Sequence, residues 1–241
     1  MKKAVRLDKF LADAGAGTRS EVKKLIQKGR VQVNGVAAKK PEEKIAETDE
    51  VLLDGERIGA APKFVYYLLH KPAGYVSATE DSRDRTVLEL IPPELRRKGL
   101  FPVGRLDKDT EGLLLITDDG ALAHELLSPK KHVEKSYYAQ VEGEMTPVDA
   151  ASFEEGLDIG EKNRTLPAKL EILSSKDGKS EILLTICEGK FHQVKRMVKA
   201  VGKEVTYLKR ISMGSLTLSE DLKKGECRSL TENEIKGLKN R

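Results

Sequence analysis

Leu7, Phe10, Leu11 and Ala14 recur at i, i+3, i+4 and i+7, the spacing of one helical face, and Gly15 and Gly17 end the run. Thr18-Arg-Ser-Glu21 then reads as a capping box, with the Thr18 hydroxyl accepting from the Glu21 N–H and the Glu21 carboxylate reaching back. The helix it opens has Val22, Leu25 and Ile26 as its apolar side, and Gly29 to turn the chain at its end. The period next changes from helix to strand. Val31-x-Val33 alternates into an Asn34-Gly35 hairpin turn, and Glu50–Leu53 runs into Asp54-Gly55. Two short helices and a small sheet therefore account for residues 1–54. Residues 55–63 are small and aperiodic, include Pro62, and read as a linker.

The remaining residues, 64–241, show strand-like runs at Phe64–Leu69, Leu113–Thr117, Ser136–Val141, Ala168–Leu173, Glu181–Ile186 and Val205–Ile211. Helical stretches lie around Ala121–Leu127, from the N-cap and proline of Thr146-Pro147, and over about 191–201 before Gly202. In this last helix Phe191, Val194, Val198 and Val201 form the apolar stripe, and Lys195 falls at its edge. Strands and helices do not alternate strictly, so the pattern predicts an α+β fold with a mixed, largely antiparallel sheet. A Rossmann fingerprint and a glycine-rich phosphate loop are both absent.

Composition narrows the classes. At 39% hydrophobic the chain can bury a core, and its 34% of charged residues are of mixed sign, which argues against global disorder. No apolar run approaches membrane-span length, and the charged N-terminus lacks the apolar segment of a secretory signal. Cys187 and Cys227 form no metal-spaced pair, so a reduced, cytoplasmic protein without a metal is expected. Charge is unevenly spread. Residues 1–40 hold eleven Lys/Arg against three acids, a formal +8, which leaves −4 for the rest of a chain whose net charge is +4. A compact basic head suits a polyanion. Arg19, Lys23, Lys24, Lys28 and Arg30 are its candidate phosphate contacts.

The densest chemical signal is Gly104-Arg-Leu-Asp107-Lys-Asp-Thr-Glu-Gly112, a polar, glycine-bounded loop that enters an apolar strand. Its acids also occupy positions 1, 3, 5 and 12 of a calcium-loop pattern. That reading fails because the last position is Asp118 rather than Glu and positions 7 to 9 are leucines.

The head, through Leu7-Asp-Lys-Phe-Leu, Thr18-Arg-Ser and Leu25-Ile-x-x-Gly29-x-Val31-x-Val33-Asn34-Gly35, resembles the S4-type RNA-binding domain. The Arg105-Leu106-Asp107 loop resembles that of the pseudouridine synthases. Lys71-Pro72-x-Gly74, Glu134-Lys-Ser-Tyr137, Glu188–Met197 and Leu230-Thr231-x-x-Glu234 resemble their further segments, in order. The layout, with His192-Gln-Val-Lys-Arg-Met197, is similar to the small-subunit rRNA (RsuA-type) branch.

That resemblance implies isomerisation of uridine to pseudouridine in ribosomal RNA, 16S and at uridine 516, by a cofactor-free monomer acting on free RNA or on a small-subunit assembly particle. It implies Asp107 as the catalytic carboxylate, Tyr137 as the platform for the flipped uracil and Lys195 as the cation beside Asp107. Arg105 would fill the gap left by the base, and His192, Arg196 and Lys199 would meet RNA. Attack on the sugar, assistance of a glycal route and attack on the base all stay open, as does a 23S target. The basic head alone would equally suit a non-catalytic assembly factor. A carboxylate glycosidase would need a second acid as proton donor, and none stands out.

Overall fold

The protein is described here from a computed structural model, in which residues 4–46, 48–59 and 62–240 are described. Lys2 and Lys3 of the basic head and Ala60 and Ala61 of the expected linker lie outside the described residues. The chain divides into two compact units, Met1–Lys63 and Phe64–Arg241.

The first unit comprises β1 (Val5–Arg6), α1 (Leu7–Asp13), α2 (Arg19–Gln27), β2 (Val31–Val33), β3 (Val36–Ala37), β4 (Lys44–Ile45), β5 (Val51–Leu53) and β6 (Glu56–Arg57). The Thr18–Glu21 capping box forms as expected. Its strands make an antiparallel sheet in the order β3-β2-β5-β6, beside a β1–β4 pair. Asn34-Gly35 and Asp54-Gly55 both take left-handed backbone, with φ of 51° and 78° and of 53° and 85°, the values a two-residue hairpin turn requires. The apolar faces of both helices meet the sheet through Leu7, Leu11, Val22, Ile26, Val31, Ile45 and Val51. Two expectations shift. Strand β6 and Ile58, whose N–H donates to the Val51 carbonyl, extend this unit past residue 54. Helix α2 stops at Gln27, ahead of the expected end at Gly29, so the candidate contacts Lys28 and Arg30 lie beyond it.

The second unit comprises β7 (Tyr66–Lys71), β8 (Phe101–Pro102), β9 (Glu111–Thr117), α3 (Gly120–Leu127), β10 (Lys135–Glu142), α4 (Pro147–Glu155), β11 (Lys169–Lys176), β12 (Lys179–Ile186), α5 (Gln193–Ala200), β13 (Glu204–Met213), β14 (Leu216–Thr217), β15 (Cys227–Ser229) and α6 (Glu232–Lys239). Among the described residues they form a nine-stranded sheet in the order β11-β12-β10-β13-β9-β7-β15, with β14 beside β13 and β8 beside β9. All pairings are antiparallel except β13 with β9. This is the expected α+β architecture.

Burial explains the two kinds of strand. Strands β10 and β12 alternate buried and more exposed positions, so Tyr137, Ala139, Ile182 and Leu184 line one face only. Strands β7 and β9 are buried throughout, because each is covered on both faces. Leu69, Leu114 and Ile116 join the core that holds Tyr137, while Leu68, Leu113 and Leu115 join a second core with Leu122 and Leu126 of α3. The 104–110 loop leads straight into this doubly buried strand.

Candidate active site

The site is built at the entrance to β9. At that point β13 runs parallel to β9 for one short stretch, Lys209 opposite Glu111 and Arg210 opposite Gly112. The strands approach so closely that a Cβ on Gly112 would sit 2.1 Å from the Arg210 carbonyl oxygen, and φ here is +107°. Only glycine satisfies both conditions.

Asp107 lies in the loop before that glycine, half-buried. Its Oδ2 is 3.4 Å from Lys195 Nζ, and its Oδ1 is 3.4 Å from His192 Nε2. Lys195 makes its short bonds to Asp109 instead, at 2.7 and 2.8 Å, and this contact holds the Asp109 carboxyl below its ordinary range. The ammonium of Lys195 therefore bridges two loop carboxylates and leaves Asp107 with the looser contact. The expected pairing of Lys195 with Asp107 is present in this shared form.

Beneath the loop lies Lys71, at the end of β7 and 0% exposed. Its Nζ donates to the carbonyls of Thr110 (2.7 Å), Asp107 (3.0 Å), Pro72 (3.1 Å) and Lys108 (3.2 Å). Burial pushes its ammonium down to about 8, against the opposing pull of the Asp109, Asp107 and Glu111 carboxylates. Ser77 clasps the same loop: its hydroxyl donates to the Leu106 carbonyl at 2.9 Å and accepts from the Leu106 N–H at 3.0 Å. The Gly74 N–H donates to the Lys108 carbonyl at 2.7 Å. Asp107 thus sits on a backbone whose carbonyls at Leu106, Asp107, Lys108 and Thr110 each accept from a side chain. A backbone held in this way fixes the aim of the Asp107 side chain in advance.

Tyr137 is 8% exposed on β10 and shares a buried cluster with Leu106, the neighbour of Asp107. In register it faces Arg210 of β13 on one side and Leu184 of β12 on the other. Tyr138, the next residue, takes the opposite face and meets Tyr207 edge-on, with centroids 6.2 Å apart. The two tyrosines take opposite faces because the pleat alternates along the strand.

The helix expected over 191–201 starts later. Helix α5 begins at Gln193, and its buried side is Gln193, Val194, Met197 and Val198. His192 precedes it with left-handed backbone, φ 47° and ψ 36°, which breaks the helical phase. Phe191 therefore leaves the apolar stripe and stands 71% exposed. Its ring stacks on the His192 ring, centroids 3.8 Å apart and planes 19° off parallel.

The other candidate contacts divide into free and committed cations. Arg105, Lys23, Lys24 and Lys199 are exposed. Arg19 is tied to Asp8 at 2.9 Å, and Arg30 pairs bidentately with Asp54. Arg196 donates to Glu161 at 2.7 Å, to the Phe191 carbonyl at 3.1 Å and to the Ile159 carbonyl, which makes it a brace for the α5 entrance. Lys195 and Lys199 also line a cleft of about 660 Å³ with Glu142, Lys203 and Glu204. Lys71, Ser77, Asp109 and Phe191 had no assigned part in the reaction from sequence. Lys71, Asp109 and Phe191 each left a trace, in the Lys71-Pro72-x-Gly74 segment, the Gly104–Gly112 loop and the Glu188–Met197 segment, whereas Ser77 left none.

Comparison with known proteins adds the following. Residues 65–200 match the family described as RNA pseudouridylate synthase, and residues 5–51 match the S4 domain. The chain is 50% identical over 232 residues to the uncharacterized RNA pseudouridine synthase YtzG of Bacillus subtilis, covering 96% of this chain and 97% of that one. It is 43% identical over 236 residues to the ribosomal small subunit pseudouridine synthase A of Vibrio cholerae, covering 97% and 99%. A crystal structure of a pseudouridylate synthase superposes with a TM-score of 0.68 at 39% identity, covering 97% of this chain and 99% of that one.

Proposed function

Because the chain belongs to the RNA pseudouridine synthase family and carries an S4 domain ahead of its catalytic unit, we propose that it converts uridine 516 of 16S rRNA to pseudouridine with Asp107 as the catalytic carboxylate. The reaction breaks the C1′–N1 bond, turns the uracil and joins C5 to C1′. The bonds broken and formed are similar in energy and no electrons are transferred, so the requirement is a held carboxylate and a closed pocket. The observation that carries the reading is the setting of Asp107: Lys195 and His192 at 3.4 Å on its two oxygens, above a loop pinned by Lys71.

In this reading the target uridine leaves its helix, because a stacked base cannot bring C1′ to the carboxylate. Tyr137 stacks on the freed uracil, and Arg105, exposed two residues before Asp107, fills the vacated space. Asp107 acts at the ribose, with the Lys195 ammonium offsetting its charge. The choice of small-subunit RNA is supported by full-length similarity to the Vibrio cholerae protein of that name. The target is met either as free RNA or within a small-subunit assembly particle.

Carbodiimide treatment and primer extension on rRNA incubated with the full chain test the proposal. A stop at position 516 with the wild type, absent with Asp107→Asn, is the expected result. Product from the Asn variant would remove the role of Asp107, and a stop confined to 23S rRNA would remove the substrate assignment.

A further inference from the structure

Phe191 combines features that a surface phenylalanine seldom shows together. It is 71% exposed, yet the backbone around it is tied by hydrogen bonds. The Phe191 carbonyl accepts from Arg196, the Lys190 N–H donates to Gln193 Oε1 at 2.8 Å, and Lys190 Nζ donates to the carbonyls of Asn163 and Arg164 at 3.1 and 3.0 Å. One face of its ring is covered by the His192 ring, whose Nε2 lies 3.4 Å from Asp107. Among the described residues, no second aromatic ring packs on its other face. The chain accepts a left-handed, non-glycine residue at His192 to hold this arrangement, φ 47°. An exposed cation, Lys199, follows on the same helix, where a phosphodiester backbone would be attracted.

We propose that Phe191, backed by His192, is a stacking platform for the nucleobase next to the target uridine, so that the enzyme grips a neighbouring base while the target is turned over Asp107. A flat apolar ring presented to solvent beside a reactive carboxylate, with an exposed cation alongside, matches the chemistry of an unpaired base: an apolar π-face on an anionic strand. The platform tolerates any base identity, because every base presents such a face. Phe191 is then a positioning residue for the substrate and does not touch the reacting atoms. The inference rests on the pseudouridine synthase activity and is independent of which rRNA is the substrate.

The test uses the full chain and rRNA, taking the uridine that the wild type modifies, in either subunit, as the reference point. Oligoribonucleotides spanning it carry 5-iodouridine at each flanking position in turn. Irradiation of the wild-type complex should crosslink one adjacent position to Phe191, identified by mass spectrometry. Phe191→Leu keeps the apolar volume and loses the ring. It should raise KM by about 5- to 150-fold, the fold-change expected for one lost base stack, and by more than it lowers kcat. Phe191→Trp should restore a KM near that of the wild type. A leucine variant with wild-type KM would overturn the proposal, as would crosslinking only to Tyr137 or to the first unit. A fall in kcat alone, not rescued by tryptophan, would mean that Phe191 merely props His192. If the reference uridine proves to lie outside 16S rRNA, the substrate assignment fails while the platform can still be demonstrated.

Discussion

In the S4 unit a fully buried charge is an acid, Asp8, and two arginines neutralise it, Arg6 at 3.0 Å and Arg19 at 2.9 Å. In the catalytic unit it is a base, Lys71, and among the described residues its hydrogen bonds go to four backbone carbonyls rather than to a carboxylate. The difference separates two uses of charge. The clasp around Asp8 consumes arginine charge to join the start of α1 to α2, so the unit's attraction for RNA rests on cations left over, such as Lys23 and Lys24. The ammonium of Lys71 keeps its charge and directs its donors to the backbone of the loop that carries Asp107. In the poorly screened interior that charge acts on the carboxylates above it.

Substitutions in both units test this division of charge, the strongest effect being at the loop carboxylate. Replacing Asp107 with Asn should lower the rate by about 10³-fold or more while RNA affinity changes less than about threefold, since the amide keeps the shape and loses the reacting charge. Single-turnover kinetics with a binding isotherm measure both.

Replacing Lys71 with Met keeps the apolar stem and leaves the loop carbonyls without their shared donor. At about 1–3 kcal/mol for a buried group left unsatisfied, denaturant unfolding should show a loss of about 3 kcal/mol, and kcat should fall at least about tenfold. A variant with normal stability and turnover would show that the loop holds itself.

Removing Lys23 and Lys24 together should flatten the dependence of log affinity on log salt by roughly 1.4–1.8, the share of two phosphate contacts. Arg30→Ala should act more weakly on that slope, because Asp54 already holds the guanidinium and the pair is exposed. An equal effect would place Arg30 directly on the backbone of the RNA.

The smallest effects are in pH dependence: stability should rise with pH in both units, but in an acidic window for one and an alkaline window for the other. The bond from Arg6, ahead of that from Arg19, lowers Asp8 from 3.8 to about 2. Its stabilising contribution is complete above pH 4 and is lost as pH falls towards 2. Lys71 is lowered from 10.5 to about 8, so between these values the unfolded chain binds more protons and this residue favours folding increasingly as pH rises. Denaturation midpoints across pH should lose the acidic slope in Asp8→Asn and the alkaline slope in Lys71→Met.

Much of this design was legible in the sequence wherever it is written in local period. Both helices of the head, its two hairpin turns and six strands of the catalytic unit follow from spacing, and the structure moves their ends by a few residues. Strand β15 and helix α6 escaped because three residues carry no period and the helix has only Ile235 and Leu238 as apolar anchors. Phe191 was misplaced because its spacing to Val194 and Val198 mimics a helical stripe. One left-handed residue, His192, resets the phase, and nothing in the pattern announces it. Asp107, Tyr137 and Lys195 were reached through motif resemblance. The support under them was not, because a lysine reaching 36 residues along the chain to a carbonyl is a property of the closed fold and leaves no mark in local spacing.

The peg at Lys71 also limits how this enzyme can be altered. A loop that rests on a lysine from another strand and on a serine from another turn is not a portable cassette. Transplanting residues 104–110 into a different scaffold would carry the carboxylate without its aim. Libraries that vary the loop while keeping Lys71 and Ser77 should retain far more active members than libraries that vary all three.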